Sequence, residues 1–362
     1  NFEVPAFTLP IGISFYTFQT ISYVIDVYRG EIKAETSFHR FLMYVSLYPQ
    51  LVAGPIVRYA HIAHEIDHRV NRIKDISRGM MRFNMGLFKK VIIANIAGEF
   101  VKQYMDASVL DINTAESWFG IIMFSIQIYF DFSGYSDMAI GLGMMFGFHY
   151  HENFKYPYIS RSATEFWRRW HISLGSFFRD YVYIPLGGNK KYGYRNLIIV
   201  WFLTGLWHGA NWNFVLWGLY FGLLILLERL FLNKFFNFLP RVFSHFYLLF
   251  AAVMGWVLFY FTDMNQMADY IKLMFGDDSS GKPNMELYIV LQKNVFWLIL
   301  AFVLCMPVFP FAKDLLKRFS KNNPLRENTL EILTIVFSIS LLLISTAMLV
   351  GSSYNPFLYF RF

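Results

Sequence analysis

Two histidines carry the clearest chemical signal in this sequence, and each directly follows a tryptophan. His171 ends the run Phe-Trp-Arg-Arg-Trp-His, and His208 lies in the run Leu-Trp-His-Gly. An imidazole can act as a general base near neutral pH because its unperturbed pKa is about 6.5. Two imidazoles that lie close together can divide the work of base and acid between them. We therefore interpret His208 and His171 as a candidate catalytic pair.

Each histidine also has a purely structural interpretation. His208 could end a helix with its ring bonded to a backbone carbonyl, and His171 could lie on an amphipathic helix at a membrane interface. Gly205 and Gly209 favour chemistry at His208, because we expect them to leave room for a substrate beside the ring. Trp207 would supply a flat wall for that substrate, so it is a candidate substrate-binding residue.

Two aspartates interrupt another apolar segment, 118–148, which is long enough for one tilted span or two short ones. Asp131 and Asp137 flank Tyr135 in this segment. A carboxylate at membrane depth is costly and usually faces a polar interior. The two aspartates could therefore line a substrate path, or they could only cap the ends of helices. The sequence leaves both interpretations open.

The composition places these residues in a membrane. The chain is 56% hydrophobic and only 16% charged, whereas a soluble domain carries roughly 25% charged residues. Charge-free runs at 212–227, 246–261, 295–312 and 332–350 are each close to the roughly 17–25 residues that a spanning helix needs. Several such helices cannot all be central in one small soluble domain. The sequence therefore predicts an all-α, polytopic transmembrane helical bundle.

The elements nearer the start of the chain are less regular. We predict a span with a polar end, or a partly re-entrant segment lined by protein, at 7–28. At 41–57 we predict a bent or re-entrant element, because its prolines remove backbone donors. Lys89 and Lys90 interrupt a further apolar segment at 85–100. We expect these lysines to snorkel to the membrane interface, or the whole segment to lie along it.

Three histidines in the polar segment 58–82 raise the possibility of a metal site. His61, His64 and His68 recur at i, i+3 and i+7, which would place them on one helical face. We favour a solvated amphipathic helix instead, because the segment offers no clear fourth ligand and no HExxH pattern. Cys305 is the only cysteine, so an intrachain disulfide and a cysteine metal cluster are excluded. We expect neither a metal ion nor a bound cofactor.

The net charge of +7 does not indicate a nucleic-acid partner. The basic residues gather in short connections between apolar runs, as the positive-inside rule expects of a membrane protein. Their excess at 149–195 and 313–326 predicts that both connections face the cytoplasm. Membrane lipids are the partners that this charge pattern implies.

The motifs around the two histidines resemble the membrane-bound O-acyltransferase (MBOAT) superfamily, and within it the group of bacterial alginate O-acetyltransferase membrane subunits. Further segments at 9–30, 48–56 and 355–362 are similar to that group, so the resemblance covers almost the whole chain. The Trp-His-Gly triplet alone would be a weak signal, but the central motifs in this order are highly specific. These motifs are FWRRWHISL at 166–174, RDYVYIPLGGN at 179–189 and GLWHGANWNFVLWG at 205–218.

The resemblance implies a single membrane domain over residues 1–362, with the family's N-terminal spans preceding it. Members of the superfamily build a helical bundle with short or re-entrant helices around a central, water-filled tunnel. The donor thioester enters such a tunnel from the cytoplasm, and the acceptor enters from the other face. By this resemblance the chain is an acyltransferase of the bacterial inner (cytoplasmic) membrane.

The resemblance also implies roles for the histidines. His208 corresponds to the essential histidine, and His171 corresponds to its partner, a position that is Asn in many eukaryotic relatives. Acyl transfer needs a base for the acceptor hydroxyl and hydrogen-bond donors for the oxyanion that forms. We expect His208 to be the base and His171 to orient it or to stabilise the oxyanion. The sequence lacks a GxSxG elbow, which disfavours a serine hydrolase, whereas an acyl-histidine intermediate stays open.

The expected donor is acetyl-CoA. Arg168, Arg169 and Arg179 lie near His171, and guanidinium groups suit phosphate contacts, so we expect these three to hold the coenzyme A phosphates. The expected acceptor is an extracellular polysaccharide such as alginate, with a separate extracytoplasmic acetyltransferase performing the final transfer. Alternatives are peptidoglycan O-acetylation, D-alanyl transfer to teichoic acid, and a transporter of acyl groups or glycan that performs no chemistry.

Overall fold

Every regular element that the computed structural model describes is a helix, and the description covers residues 12–51, 54–276, 285–320, 324–351 and 357–358. The predicted all-α class is therefore confirmed. The α-helices are α1 Ile13–Tyr28, α2 Phe38–Ser46, α3 Tyr59–Asp67, α4 Ile73–Phe88, α5 Asn95–Tyr104, α6 Thr114–Met145, α7 Ala163–Arg169, α8 Ile172–Phe178, α9 Gly193–His208, α10 Trp212–Leu227, α11 Asn233–Asn237, α12 Arg241–Tyr260, α13 Met264–Met274, α14 Met285–Lys293, α15 Val295–Leu304, α16 Val308–Ser320 and α17 Pro324–Val350.

Within the described residues, three continuous helical stretches are long and apolar enough to cross a membrane. They are Trp212–Asn237, Arg241–Tyr260 and Asn328–Val350. Each contains most of a charge-free run that the sequence predicts to be a span. The prediction of a membrane protein with several spanning helices therefore agrees with the structure.

The remaining charge-free run, 295–312, does not form the clean span that its composition predicts. α15 ends at Leu304, and α14 and α15 meet at a bend of 70°. Pro307 follows soon after the end of α15, and a proline removes a backbone donor and clashes with the preceding turn. α14 and α15 could therefore cross a membrane only as a bent pair.

The elements before α4 are short, in agreement with their irregular sequences. α1 begins at Ile13, and residues 7–11 of the predicted span lie outside the described residues. α2 ends at Ser46, so the predicted element at 41–57 stops being helical before Pro49. Both elements are thus shorter than the apolar segments that contain them.

The amphipathic helix predicted at 58–82 is two helices instead. α3 ends at Asp67, and α4 begins at Ile73 and continues into the next apolar segment. His68 therefore lies just beyond the end of α3, with its ring 5.2 Å from the ring of His64. In the described part of the chain, no three His, Cys, Asp or Glu side chains are arranged to hold a metal ion.

α6 is one unbroken helix of 32 residues, although its sequence contains two aspartates and several glycines. A capping box starts it, since the Asn113 side chain accepts from the backbone of Glu116 and the Glu116 side chain accepts from the backbone of Asn113. Gly86 and Gly134 then bring α4 very close to α6. A Cβ atom on Gly86 would lie only 2.5 Å from the backbone oxygen of Gly134.

This close packing buries Lys90 and leaves Lys89 half-buried, although both lysines were expected to snorkel. Lys90 Nζ lies 2.5 Å from Asp131 Oδ1, and Lys89 Nζ lies 2.6 Å from Asp137 Oδ2. Arg82 also pairs with Asp137, at 2.6 Å. The snorkelling prediction is therefore wrong, because carboxylates in the middle of α6 neutralise the lysines inside the protein. The interpretation of these aspartates as helix caps is wrong for the same reason.

A close helix–helix contact and a buried carboxylate position the segments that carry the histidines. α9 and α10 form a tight hairpin, in which a Cβ atom on Gly218 would lie 2.3 Å from the backbone oxygen of Trp201. Glu228, buried at the far end of α10, anchors the start of α7. Its carboxylate accepts from the backbone N–H groups of Ala163 and Thr164, the latter at 3.0 Å. A carboxylate is favourable there because the N-terminus of a helix carries partial positive charge.

Candidate active site

The two histidines share one cavity, which encloses about 40 Å³ between α6, the α7–α8 corner, the α9–α10 hairpin and α12. Asp131 and Tyr135 of α6 also reach it. Aromatic side chains form most of the remaining wall. The lining residues are Ile128, Asp131, Phe132, Tyr135, Trp167, Trp170, His171, Leu174, His208, Trp217, Trp256, Phe259, Phe357 and Leu358.

His171 occupies the corner between α7 and α8 in a strained backbone conformation. Its φ of 44° and ψ of 54° lie in the left-handed region, which is uncommon for residues other than glycine. Such strain persists only where surrounding contacts enforce it, and it is found preferentially at functional sites. The side chain is 2% exposed and makes an edge contact with Phe132, at a ring distance of 4.7 Å.

The Asn153 side chain determines which nitrogen of His171 carries the proton. The backbone N–H of Ser173 donates to Asn153 Oδ1 at 3.1 Å, which identifies that atom as the carbonyl oxygen. His171 Nδ1 lies 3.3 Å from the same oxygen and 3.4 Å from the Ser173 hydroxyl, which itself donates to Asn153 Oδ1 at 2.9 Å, so we assign the proton to Nδ1. Nε2 then carries a lone pair, and it is buried without a hydrogen-bond partner among the described residues. The hydrogen-bonding atom that His171 leaves free beside the cavity is thus an acceptor.

His208 is held in a different way. It is the last residue of α9, and within the described structure neither of its ring nitrogens makes a hydrogen bond. Aromatic rings surround it instead, with centroids at 4.7 Å for Trp207, 5.0 Å for Trp217 and 5.1 Å for Phe259. Both nitrogens of this ring are therefore available to a substrate.

Trp207 contacts both histidines, since its ring lies 6.2 Å from that of His171 and 4.7 Å from that of His208. On its other side it stacks on Phe18 of α1 at 5.5 Å. It is not among the lining residues. Its observed contacts fix the separation of the two imidazoles, and its predicted role against substrate stays a prediction.

Comparison of the sequence with known proteins shows to which family the chain belongs. The sequence profile of the MBOAT, membrane-bound O-acyltransferase family, matches residues 31–268, which include both cavity histidines. The chain belongs to the MBOAT family. A Pseudomonas putida protein named Probable alginate O-acetylase AlgI is 39% identical to it, over 98% of this chain and 75% of the relative.

Two further relatives extend the comparison. A Pseudomonas aeruginosa protein, also named Probable alginate O-acetylase AlgI, is 46% identical over 69% of this chain and 48% of its own length. A Helicobacter pylori protein named Peptidoglycan O-acetyltransferase is 34% identical over 76% of this chain and 58% of its own length. The MBOAT chain thus spans three quarters of the first relative and about half the length of the other two.

The space beside Gly205 and Gly209 in the MBOAT chain is filled by protein and not by an opening for substrate. A Cβ atom on Gly205 would lie 2.3 Å from the backbone oxygen of Phe214, and one on Gly209 would lie 2.7 Å from the Phe214 ring. The prediction that these glycines make room for substrate is therefore wrong. They allow α10 to approach α9, which brings Trp217 against His208.

The three predicted phosphate-binding arginines lie outside the cavity. Arg168 is exposed, Arg169 pairs with Glu165 at 2.9 Å, and Arg179 donates to Asp180 at 2.6 Å. Burial alone would raise the pKa of the Asp180 carboxyl. Hydrogen bonds from Arg179 and Arg58 outweigh burial and hold that pKa below its ordinary value. Arg179 is therefore committed to a carboxylate.

The two predicted aspartates have different positions relative to the cavity. Asp131 lines it, while Asp137 lies outside it with its charge neutralised by basic side chains. Asp131 also holds a segment that sequence reasoning did not connect with the site. The backbone N–H of Leu358 donates to Asp131 Oδ2 at 2.6 Å, and Phe357 packs its ring against that of Tyr135 at 4.8 Å.

Asn153, Trp167 and Trp217 are among the site residues that sequence reasoning missed. Asn153 is fully buried, but it lies in a polar connection 18 residues before His171, where nothing local distinguishes it. Trp217 lies within the motif that carries the family resemblance, so a search of that motif for hydrogen-bond donors could have found it. Glu228 carried a visible signal too, since it is a carboxylate within a helix of spanning length.

Proposed function

We propose that this MBOAT protein is a membrane O-acetyltransferase that moves acetyl groups from acetyl-CoA for the O-acetylation of a polysaccharide. The observation that carries the proposal is the placement of His171 and His208 on one cavity. The names of the relatives from Pseudomonas and Helicobacter support an acetyl group as the cargo and a glycan as the acceptor.

His208 is the base in this proposal. One of its free nitrogens takes the proton of the acceptor hydroxyl while the hydroxyl oxygen bonds to the thioester carbonyl carbon. When the tetrahedral intermediate collapses, the carbon–sulfur bond breaks and the imidazolium returns the proton to the leaving sulfur. The reaction is thus balanced without another acid, and general base catalysis of this kind contributes about 10²–10⁴ in rate.

In this proposal His171 has a different role from the two that the sequence left open, which were to orient His208 or to stabilise the oxyanion. With its proton held on Nδ1 by Asn153, it presents only an acceptor to the cavity. In this state it can orient the acceptor hydroxyl by accepting its hydrogen bond, but it cannot donate to the oxyanion. We therefore assign it to orientation of the acceptor.

Acetyl-CoA as donor, with transfer from the cytoplasm to the other face, is part of the same proposal. The basic connection at 149–195, on which His171 lies, supports the cytoplasmic side for the donor. With Cys305 replaced, a single cysteine at Lys190 should resist an impermeant thiol reagent in intact cells of a bacterial host and react in opened cells. Reaction in intact cells would refute this orientation in the inner membrane.

The acceptor is tested with membrane vesicles from cells that express the chain. Labelled acetyl-CoA is supplied on the cytoplasmic face, and de-acetylated alginate is supplied on the other face together with an extract of the extracytoplasmic fraction. We expect label on alginate that His208→Ala abolishes. Label on peptidoglycan instead would favour the second candidate acceptor, which the Helicobacter relative supports. Acetyl movement that survives loss of both histidines would favour a transporter.

A further inference from the structure

The proposed transfer requires a group that neither histidine supplies. As the acceptor oxygen attacks, the electrons of the carbonyl double bond move onto the carbonyl oxygen. That oxyanion needs hydrogen-bond donors about 2.7–3.1 Å away. His171 presents an acceptor to the cavity, and His208 is occupied with the acceptor's proton. The donors must therefore come from other residues of the cavity wall.

Two indole groups meet this requirement. Trp167 of α7 and Trp217 of α10 both line the cavity, and the Nε1 atom of each is buried with no hydrogen-bond acceptor among the described residues. An indole N–H is a donor only. A buried donor without an acceptor lowers stability, so native proteins seldom contain one without a reason. Aromatic rings nearby are weak acceptors at best.

The position of Trp217 is the more favourable of the two. Its side chain is 1% exposed, and its ring centroid lies 5.0 Å from that of His208. The Trp167 ring lies 5.3 Å from the Trp217 ring, on the side where the α7–α8 corner carries His171. The His208 ring and the Trp217 ring are therefore direct neighbours in the cavity wall.

A third tryptophan of the same cavity differs from these two, because its indole N–H has a hydrogen-bond acceptor. Trp256 lines the cavity and is as deeply buried as Trp217. Its N–H donates to the Tyr158 hydroxyl at 3.1 Å. The fold thus supplies an acceptor for one cavity indole and leaves two others without one.

We propose that Trp217 is a catalytic residue whose indole N–H donates to the thioester carbonyl oxygen, with Trp167 as the second donor of the oxyanion hole. The inference rests on the proposed acetyl transfer. The two N–H groups bind the oxygen more strongly as its charge grows, and the electrons return to the carbon when the bond to sulfur breaks. No proton moves between indole and substrate.

The decisive experiment removes the donor and keeps the ring. Trp217 is replaced by β-(3-benzothienyl)alanine, in which sulfur stands in place of the N–H, and transfer from acetyl-CoA to alginate is measured in the vesicle assay per amount of folded protein. We expect kcat to fall by about 10²–10³, as for loss of one oxyanion-hole donor, with KM changed less than threefold. The same replacement at Trp167 should lower kcat less.

Trp118 provides the matched control, because it lies outside the cavity and its N–H already donates to the backbone oxygen of Met274 at 2.8 Å. The isostere at Trp118 should leave kcat within a few fold of the wild type, whatever it does to thermal stability. Unchanged kcat in the Trp217 isostere would overturn the proposal, as would equal losses at Trp217 and Trp118. If the wild type itself transfers no acetyl while correctly folded, the proposed function fails first. An active wild type with an active Trp217 isostere overturns only the oxyanion assignment.

Discussion

The α7–α8 corner and the α9–α10 hairpin each present one histidine to the same cavity, but they hold it by opposite means. His171 has a left-handed backbone and a hydrogen bond to Asn153 that fixes its tautomer. His208 has only ring contacts, and its two nitrogens make no hydrogen bond within the described residues. A ring of fixed tautomer suits orientation of a substrate, whereas a ring with both nitrogens free suits the gain and loss of a proton.

The difference extends to what supports each corner. Polar groups hold the first, since Glu228 anchors the start of α7 and Asn153 bonds both His171 and Ser173. The second depends on close helix packing at glycines, which leaves few polar groups near His208. Substitutions at the first corner should therefore change geometry and rate together, while substitution of His208 should change rate alone.

The largest effect is expected from His208→Ala. Loss of the base should lower transfer by about 10²–10⁴, and the variant should remain in the membrane at near-normal levels because no hydrogen bond of the described protein depends on this ring. Acetyl transfer and membrane protein level, measured in the same vesicles, check both parts. Near-wild-type transfer in a well-expressed variant would show that His208 is not the base.

The next effect separates chemistry from backbone geometry at His171. Asparagine tolerates the left-handed conformation and offers a hydrogen bond, so His171→Asn should keep part of the activity, at a cost of roughly tenfold in rate. Leucine is strained there and offers no polar atom, so His171→Leu should be nearly inactive and less stable. Equal, full activity of both variants would mean that His171 serves only the fold.

A smaller effect is expected when the partner of His171 is removed. Asn153→Ala leaves His171 Nδ1 and the Ser173 N–H without their acceptor, so we expect kcat to fall about tenfold with a smaller change in KM. His171→Asn in the same background should add little further loss, because both changes disturb one hydrogen bond. Full additivity of the two losses would argue against Asn153 acting through His171.

Asn84→Ala serves as the control for that comparison. Asn84 is also buried and hydrogen-bonded, to Ser338 at 2.9 Å, but it does not line the cavity. It should lower thermal stability and leave kcat per folded molecule unchanged. A similar fall in kcat in both variants would mean that Asn153→Ala lowers kcat only by destabilising the protein.

The smallest effect concerns binding of the acyl donor, acetyl-CoA. Arg168 is exposed and makes no ion pair with a described carboxylate, so replacing Arg168 and Arg169 with Gln should raise the KM for acetyl-CoA severalfold, more than it lowers kcat. Arg179→Gln should change KM less, because Arg179 is already bonded to Asp180. An unchanged KM, with lower protein levels, would instead identify Arg168 and Arg169 as interface anchors.

The sequence by itself determined the features that are summed along the chain or carried in a short motif. Low charge and long apolar runs identified a membrane protein and the three helices of spanning length. The two Trp-His pairs located both histidines that line the cavity. These conclusions hold because hydropathy and motif identity depend on neighbouring residues, and the fold does not alter them.

Only the tertiary structure decided how those residues are paired. Lys89 and Lys90 looked like interface residues because their carboxylate partners lie more than 40 positions away on α6. Gly205 looked like an opening, but helix packing fills the space beside it. The tautomer of His171 depends on an amide 18 residues earlier. Each of these outcomes is set by distances of a few ångströms between atoms of different segments, and helix packing fixes those distances where a linear pattern does not.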